Sequence, residues 1–394
     1  MTHPLWQPPQ IHPDWTAANE EEERKVTWLE LFYDLVYVAT LIQLGNTLSS
    51  DVSMIGFLKF AALFVPIWWS WTGSTFLVNQ FVVDDIVHRG LVFIQIMGIA
   101  TLGVSIAGAF GDLANQFAGG YILIRLILII QYLRASKHAP TGRPLSDLFA
   151  KGYSVAILFW IISLFVPAPA KYALWTLGMI IDVVVPSLPQ ATKIILKFPP
   201  HVPHMEERYA LFTIIVLGES FVKVIDEVSG QQIGLMSYVF TFFGVGVTSA
   251  LWWLYFDDVA EQKIKEGRAS LFVWVYAHLP LALALIAFGV GAKKVFIQAP
   301  LEPLTDKYRI LYCVAVVLYL IIVAVIDLVT EREDTESLDN QHRAYWRFGA
   351  AAIILGIGLF GTFLTPISFI IALAVVFAIQ IVIDLPKRTQ SASI

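Results

Sequence analysis

Apolar stretches of about 20 residues, the length that carries a helix across the hydrocarbon core of a bilayer, recur along almost the whole chain. No other feature restricts the fold so strongly. Inside a bilayer every backbone N–H and C=O must be bonded within the protein, and apolar runs of this length meet that demand as helices. Composition agrees. Of 394 residues, 57% are hydrophobic and 14% charged, against about 25% charged in an average soluble domain, and the mean hydropathy is +0.69. The fold class is therefore an all-α polytopic integral membrane protein.

The runs place about twelve helices, at roughly 28–48, 54–78, 88–110, 117–136, 147–167, 170–187, 206–225, 232–255, 269–291, 307–329, 344–362 and 364–385. Between the last two, "GLFGTFLTPIS" leaves little room for a loop. Lys and Arg near helix ends orient the chain. Arg24, Lys25, Arg332, Lys387 and Arg388 fall on one side and Lys171, Lys293, Lys294, Lys307 and Arg309 on the other. That bias puts both termini in the cytoplasm, and the membrane expected is a bacterial inner membrane. The start is Pro-rich and then acidic ("NEEEERK"), so no cleavable signal peptide is expected. Cys313 is alone and cannot form an internal disulfide. With a net charge of −5 and no basic block, nucleic acid is not an expected partner. The expected partners are the lipid bilayer and a small solute or ion, with a second copy of the chain also admitted.

Two stretches repeat. "TLIQLGNTL" (Thr40–Leu48) lies over "TIIVLGESF" (Thr213–Phe221), with Thr, Ile, Leu and Gly in matching places. The same register sets Asp34 opposite Glu207 and Asn46 opposite Glu219. Trp68-Trp69, Asp84-Asp85 and Arg89 recur in order as Trp252-Trp253, Asp257-Asp258 and Arg268. Chance likeness of apolar helices is the plain alternative. If the repeat is real, a tail over 1–27 precedes a six-helix repeat over 28–188. A cytoplasmic linker over 189–205 then leads to a second repeat over 206–386 and a tail over 387–394. The two repeats are parallel, and sites in such proteins lie between repeats near the bilayer midplane.

Ionisable residues inside a membrane are costly and by default mark function. The first helix carries Glu30 and Asp34, one turn apart on one face, then Gln43 and Asn46. Arg125 and Gln131 lie on the fourth helix, Asp182 on the sixth, Glu219 and Lys223 on the seventh, His278 on the ninth and Asp327 on the tenth. Glu219 stands about thirteen residues into its helix, close to half-way across at 1.5 Å per residue. Its candidate partners are Lys223, one turn on, and Arg125 at comparable depth. A buried carboxylate without a full partner takes up a proton, as a proton relay or a cation site requires. A static pair locking two helices is the structural alternative. Asp182 and Asp327 read as helix-end charges reaching the interface, and His278 as a hydrogen-bonded core residue or a proton carrier. Glu30, Asp34, Glu207, Arg208 and Arg89 read as cytoplasmic-mouth charges. They either pin loops together through Arg24, Lys25, Arg89 or Arg208, or form an acidic vestibule for cations or protons.

"HVPHMEER" (His201–Arg208) offers His and Glu side chains, but its spacing matches no strong zinc pattern and Pro203 is expected to break the helix that would align them. Metal and cofactor are therefore not expected. Trp68, Trp69, Trp252 and Trp253 read as interfacial belt residues or as the lining of a pathway. No P-loop, dinucleotide-binding glycine pattern or nucleophile elbow is present, so an enzyme is not the expected class. The stretch "EREDTESLDNQHR" (Glu331–Arg343) reads as a solvated loop.

"WLELFYDLVYVATLIQL" and "HMEERYALFTIIVLGES" together resemble the bacterial low temperature requirement protein A family. Its signatures are a Glu-Leu-Phe-Phe-Asp helix near the N-terminus and a Glu-Arg-x-x-Leu-Phe-x-Ile-Ile-x-Leu-Gly-Glu helix midway. Tyr33 replaces the commoner Phe. The likeness covers most of the chain and implies an inner-membrane protein linked by name to growth in the cold. By the match it singles out Glu30, Asp34, Glu207, Arg208 and Glu219, and it brings no substrate. "LELFYDLVYVA" is also similar to the Phe-Ser-Asp first-helix signature of potassium channels built from six-helix repeats, with Tyr33 where the serine would stand.

Three functions are thus expected in order. First is a proton-coupled secondary transporter of a small solute, with Glu219 as the midplane carboxylate and Arg125, Lys223, Asn46 and Gln43 around it. A cation channel is second and a lipid-modifying membrane enzyme third. A major-facilitator identity is disfavoured because "VVDDIVHRG" (Val82–Gly90) lacks that family's glycine- and arginine-rich loop.

Overall fold

Helix α1, Trp28–Ser50, shows how these elements form. Its start is a capping box: the Thr27 amide donates to Glu30 Oε2 at 2.7 Å, and the Glu30 amide donates to Thr27 Oγ1 at 3.3 Å. Two amides that the first turn leaves orphaned are thereby satisfied. Tyr33, Asp34, Tyr37, Val38, Leu41 and Leu44 then form one buried stripe, the spacing of a single helix face. Phe32, Leu35, Ala39, Gln43 and Asn46 form the exposed stripe. Gln43 and Asn46 therefore do not point into the core.

The computed structural model describes residues 4–11, 25–229, 234–260, 262–331 and 340–384. The tail at 387–394, most of the 1–27 segment, Arg24, Arg332, Lys387, Arg388 and most of the acidic loop lie outside the described residues. Among the described residues there are thirteen α-helices. After α1 come α2 (Met54–Gln80), α3 (Ile86–Ser105), α4 (Ala114–His138), α5 (Arg143–Ser163), α6 (Ala170–Val184) and α7 (Pro189–Lys197). There follow α8 (Val202–Ser229), α9 (Leu235–Tyr255), α10 (Arg268–Phe296), α11 (Asp306–Leu328), α12 (Asn340–Phe360) and α13 (Pro366–Asp384). Among the described residues, ten helices are long and apolar enough to cross a membrane. Helices α8 and α12 are also long, at 28 and 21 residues, but carry Glu206, Glu207, Arg208, Glu219 and Lys223 on one and Arg343 and Arg347 on the other. The protein is an all-α integral membrane protein.

Two expectations about boundaries are corrected. The linker expected over 189–205 contains a helix of nine residues, α7. Pro189 begins it, where a missing N–H costs nothing, and Ala191, Thr192 and Ile195 bury one face. Pro203 does not break α8 either. It stands in the first turn, where no intrahelical bond is lost, so the helix starts at Val202. The short loop before α13 is possible because Thr365 and Ser368 cap that helix: the Thr365 amide donates to Ser368 Oγ at 2.9 Å and the Ser368 amide to Thr365 Oγ1 at 3.3 Å.

The chain divides into two compact units, one of residues 1–44 and 62–208 and the other of residues 45–61 and 209–394. In the first, α3, α4, α5 and α6 pack each against the next. A two-residue strand β1 (Gln10–Ile11) pairs antiparallel with β2 (Phe81–Val82) just before α3. In the second, α10, α11 and α12 pack in sequence, α9 packs on α13, and β3 (Lys263–Ile264) pairs with β4 (Thr330–Glu331).

Helices α3 and α4 meet through glycine. A Cβ on Gly120 would stand 2.9 Å from the Gly98 carbonyl oxygen and 3.1 Å from the Leu102 amide nitrogen, closer than backbone can yield. Small residues let membrane helices approach in this way. Gly119, beside it, has nothing within 4 Å of such a Cβ. Gly120→Ala is therefore expected to cost about 1–3 kcal/mol and to lower the melting temperature in detergent, with Gly119→Ala as an unaffected control.

Candidate functional site

Helices α1 and α8 each place two chemistry-bearing side chains one turn apart on a single face. On α1 these are Glu30 and Asp34; on the first turns of α8 they are His204 and Arg208. The two faces meet in the first unit. Arg208 Nε donates to Asp34 Oδ2 at 3.2 Å and Nη2 donates to Asp34 Oδ1, a two-pronged grip that suits a planar guanidinium. Trp71 Nε1, from α2, donates to the same Oδ1 at 2.7 Å. Both charged partners are buried. Arg208 and His204 reach Glu30 at longer range. Its Oε1 lies 3.8 Å from Arg208 Nη1 and 3.5 Å from His204 Nε2, while Oε2 is used in the helix cap.

The start of α8 is itself fixed by Asn79. Its Oδ1 accepts from the His201 amide at 2.5 Å, and its Nδ2 donates to the His201 carbonyl at 3.0 Å. The same Nδ2 stands 3.3 Å from His204 Nδ1, which assigns the ring proton to Nε2, toward Glu30.

A cavity of about 80 Å³ opens beside this cluster. Its rim holds the exposed Thr27 and Asp84, with Arg89; its interior holds Glu30, Tyr33, Ser74, Gln95, Gln131 and Arg208. Tyr33 donates to Ser74 Oγ at 2.8 Å, and Gln95 Nε2 reaches the same oxygen at 3.4 Å. Gln131 Oε1 is buried with no hydrogen-bond partner. Space for several waters, a guanidinium, a carboxylate and unspent amide capacity make a site for something small and polar. It lies far below the roughly 300 Å³ where sites for larger organic ligands begin.

The other expected residues fall elsewhere. Arg125 does not seek Glu219. Its Nη2 stands 3.0 Å from Asp182 Oδ2, Tyr121 donates to that oxygen at 2.6 Å, and Arg125 Nε donates to the Tyr121 hydroxyl at 2.9 Å. Gly73 leaves room, since a Cβ there would lie 2.8 Å from Arg125 Nη1. Asp182 is thus a buried partner and not a helix-end charge, because the Arg125 and Tyr121 donors of α4 replace water around it. Asp327 is corrected likewise: it is buried and paired with Arg347. Glu219 is partnered by Lys223 at 3.7 Å on its own helix in the second unit. Arg89 pairs with Asp84 at 3.0 Å and Glu207 is exposed. His278 is a satisfied core residue: its Nδ1 lies 2.7 Å from the Trp274 carbonyl oxygen, so it donates there and Nε2 accepts from Tyr255 at 2.9 Å. Trp68 and Trp69 are buried and not belt residues, Trp69 donating to the Asp182 carbonyl at 3.2 Å.

Trp71, His204, Tyr33, Ser74 and Gln95 were not identified as site residues from sequence. One signal was present: His204 and Arg208 share the four-residue spacing of Glu30 and Asp34.

Both segments that meet here lie within residues 25–383, which match the family described as bacterial low temperature requirement A protein (LtrA). The chain belongs to the LtrA family. A similar protein, an uncharacterized one from Rhizobium meliloti (strain 1021), is 26% identical over 298 residues, covering 71% of this chain and 72% of its own length. Two helices bearing the LtrA sequence signatures are therefore physical partners through the Asp34–Arg208 pair.

Outside the membrane-spanning segments, Asp85 caps α3, accepting from the His88 amide at 2.7 Å. It also accepts from Arg134 and from the Gln7 amide, the latter at 2.7 Å, while Arg134 Nη2 donates to the Gln7 carbonyl at 2.7 Å. Burial alone raises its pKa, but the bonds from Arg134, His88 and Gln7 outweigh it and hold the carboxyl below its ordinary range. A depressed acid gives stability that is complete above its unfolded value of about 4 and is lost as pH falls through the native value. Hydrogen exchange is expected to find the Gln7 amide protected near neutrality and losing protection below about pH 4.

For the central pair, Arg208→Gln leaves Asp34 buried and unpaired, an expected cost of about 3–5 kcal/mol. Adding Asp34→Asn removes the stranded charge and should recover part of the melting temperature. A double variant no more stable than Arg208→Gln alone would contradict this account of the pair.

Proposed function

We propose that this LtrA-family chain is a proton-coupled secondary transporter of a small polar solute, resident in a bacterial inner membrane with both termini cytoplasmic. One observation carries the reading. On the wall of a cavity within a membrane-spanning helix bundle, the buried Arg208 guanidinium grips Asp34 and stands 3.8 Å from a second carboxylate, Glu30. In a low-dielectric site a carboxylate so placed is disposed to take up a proton when its surroundings change. His204 stands beside Glu30 at 3.5 Å as a group through which that proton can pass.

Asp34 is held closely by Trp71 and by two nitrogens of Arg208, whereas Glu30 lines the cavity beside His204, so Glu30 is the carboxylate we assign to coupling. The Glu219–Lys223 pair, the candidate from sequence, does not line this cavity, which favours Glu30 as the coupling group. Arg208 and Arg89 on the cavity wall weigh against a conduit for cations. No bond-breaking step is part of the reading.

Reconstitution in liposomes with an internal pH dye tests it, using a panel of small anionic, neutral and cationic solutes. Wild type is expected to move protons only when a transported solute is present, Glu30→Gln to lose the proton movement, and Glu219→Gln to keep it. Loss in Glu219→Gln with retention in Glu30→Gln would move the coupling site to the second unit. A sustained current without any solute would overturn the transporter reading in favour of a channel.

A further inference from the structure

Four helices each place an uncharged polar side chain on the cavity of the first unit: Tyr33 from α1, Ser74 from α2, Gln95 from α3 and Gln131 from α4. All four are buried. Three of them are tied together. The Tyr33 hydroxyl donates to Ser74 Oγ at 2.8 Å, and Gln95 Nε2 reaches that oxygen and the Ile124 carbonyl, each at 3.4 Å. A hydroxyl has two acceptor sites and one proton, so Ser74 accepts from both neighbours and keeps its proton to give. Gln131 is different. It is only 5% exposed, and its Oε1 is buried with no hydrogen-bond partner among the described residues. An amide oxygen so placed costs free energy until something meets it.

The charged groups of the cavity already face partners. Arg208 grips Asp34, Glu30 stands 3.5 Å from His204 and 3.8 Å from Arg208, and Asp84 pairs with Arg89 at 3.0 Å. A charged guest would bring a further charge out of water, which is expensive without a counterpart of its own. The capacity that remains is uncharged: a hydroxyl proton on Ser74 and an acceptor on Gln131.

Resting on the transporter reading, we propose that the solute is a small uncharged amide, recognised through its own C=O and N–H. Its carbonyl oxygen accepts from the Ser74 hydroxyl, and its N–H donates to the Gln131 carbonyl. A primary amide carries both groups on one planar unit, so a single molecule meets both needs. Leu77 and Val92 line the same cavity and suit a short alkyl end. A cavity of about 80 Å³ admits amides the size of acetamide or propionamide and excludes aromatic amides and peptides. The amide keeps its own protons throughout, so the hydrogen bonds that hold the solute are separate from the coupling proton. Gln131 is thereby a specificity-determining residue, and the fold does not depend on its amide.

Saturable binding of radiolabelled acetamide to the purified full chain in detergent, with unlabelled competitors, tests the proposal. Acetate has the shape of acetamide but carries a charge, and methyl acetate is close to propionamide in size but has no N–H. Acetamide and propionamide are expected to displace the label, and acetate and methyl acetate to do so at least about tenfold more weakly. Gln131→Leu is expected to bind the label at least about tenfold more weakly without lowering the melting temperature, because leucine leaves no buried amide unmet. A lower melting temperature in Gln131→Leu would make Gln131 a structural residue, and unchanged binding would remove it from the site; either overturns the proposal. Acetate displacing the label as well as acetamide would overturn uncharged recognition. Methyl acetate matching propionamide would overturn the N–H contact, and failure to bind either amide would overturn the class. Flux separates this proposal from the one it rests on. Proton-coupled flux of some other solute, with no amide bound, sinks the substrate class and leaves the transporter standing. Amide binding without any solute-driven proton flux removes the transporter and leaves the amide site.

Discussion

A buried ion pair, Asp34 with Arg208, is the interaction around which the first unit is arranged. Placing a carboxylate and a guanidinium out of water is expensive, and only close geometry with further hydrogen bonds offsets it. Each supporting contact here answers that demand. Trp71 supplies the second donor to Asp34, and Asn79 holds the backbone of His201 so that α8 begins where Arg208 can reach. Moving α8 by one residue would rotate Arg208 by about 100°, since 3.6 residues make a turn. The first turn of that helix is consequently one of the most closely specified pieces of the bundle.

Three buried pairs between helices can be compared. Arg125–Asp182 is closed by Tyr121, and Asp327–Arg347 stands with Asn340, whose Nδ2 donates to the Asp327 carbonyl at 2.9 Å. Neither Arg125 nor Arg347 lines the cavity. They are best understood as fasteners, giving neighbouring helices a unique register where apolar packing alone is permissive. The pair at Asp34 differs by having a second carboxylate close to, but not in contact with, the same cation. Its place on the wall of a cavity, and not burial as such, distinguishes a site from a fastener.

The twelve long helices were legible because apolar length is a one-dimensional property, visible along the chain. Helix α7 was not, because nine residues with two lysines carry no membrane signal. Charges inside the membrane were equally visible: Glu30, Asp34, Arg125, Asp182 and Asp327 could all be named. Their partners could not. Depth along a helix can be counted, which made Glu219 look like a mate for Arg125, but which helices are neighbours is set by tertiary packing. Asp34 and Arg208 are 174 positions apart, and no periodicity links them. Trp71 was hidden by its own company, since a run of tryptophans reads as an interface belt, and His204 by a metal hypothesis that looked at sequence spacing and not at the facing helix.

The fastening of the N-terminal segment has a different kind of anonymity. Between Asp85 and Arg134, residue 7 contributes only its peptide group, N–H to the acid and C=O to the base. Any amino acid with a backbone hydrogen can occupy that link, and proline, which lacks one, is the exception. The position is therefore indifferent to nearly every letter written there yet sensitive to a shift of the chain by one residue. A one-residue slip of this segment would bring Pro8, which has no N–H to give, into the link.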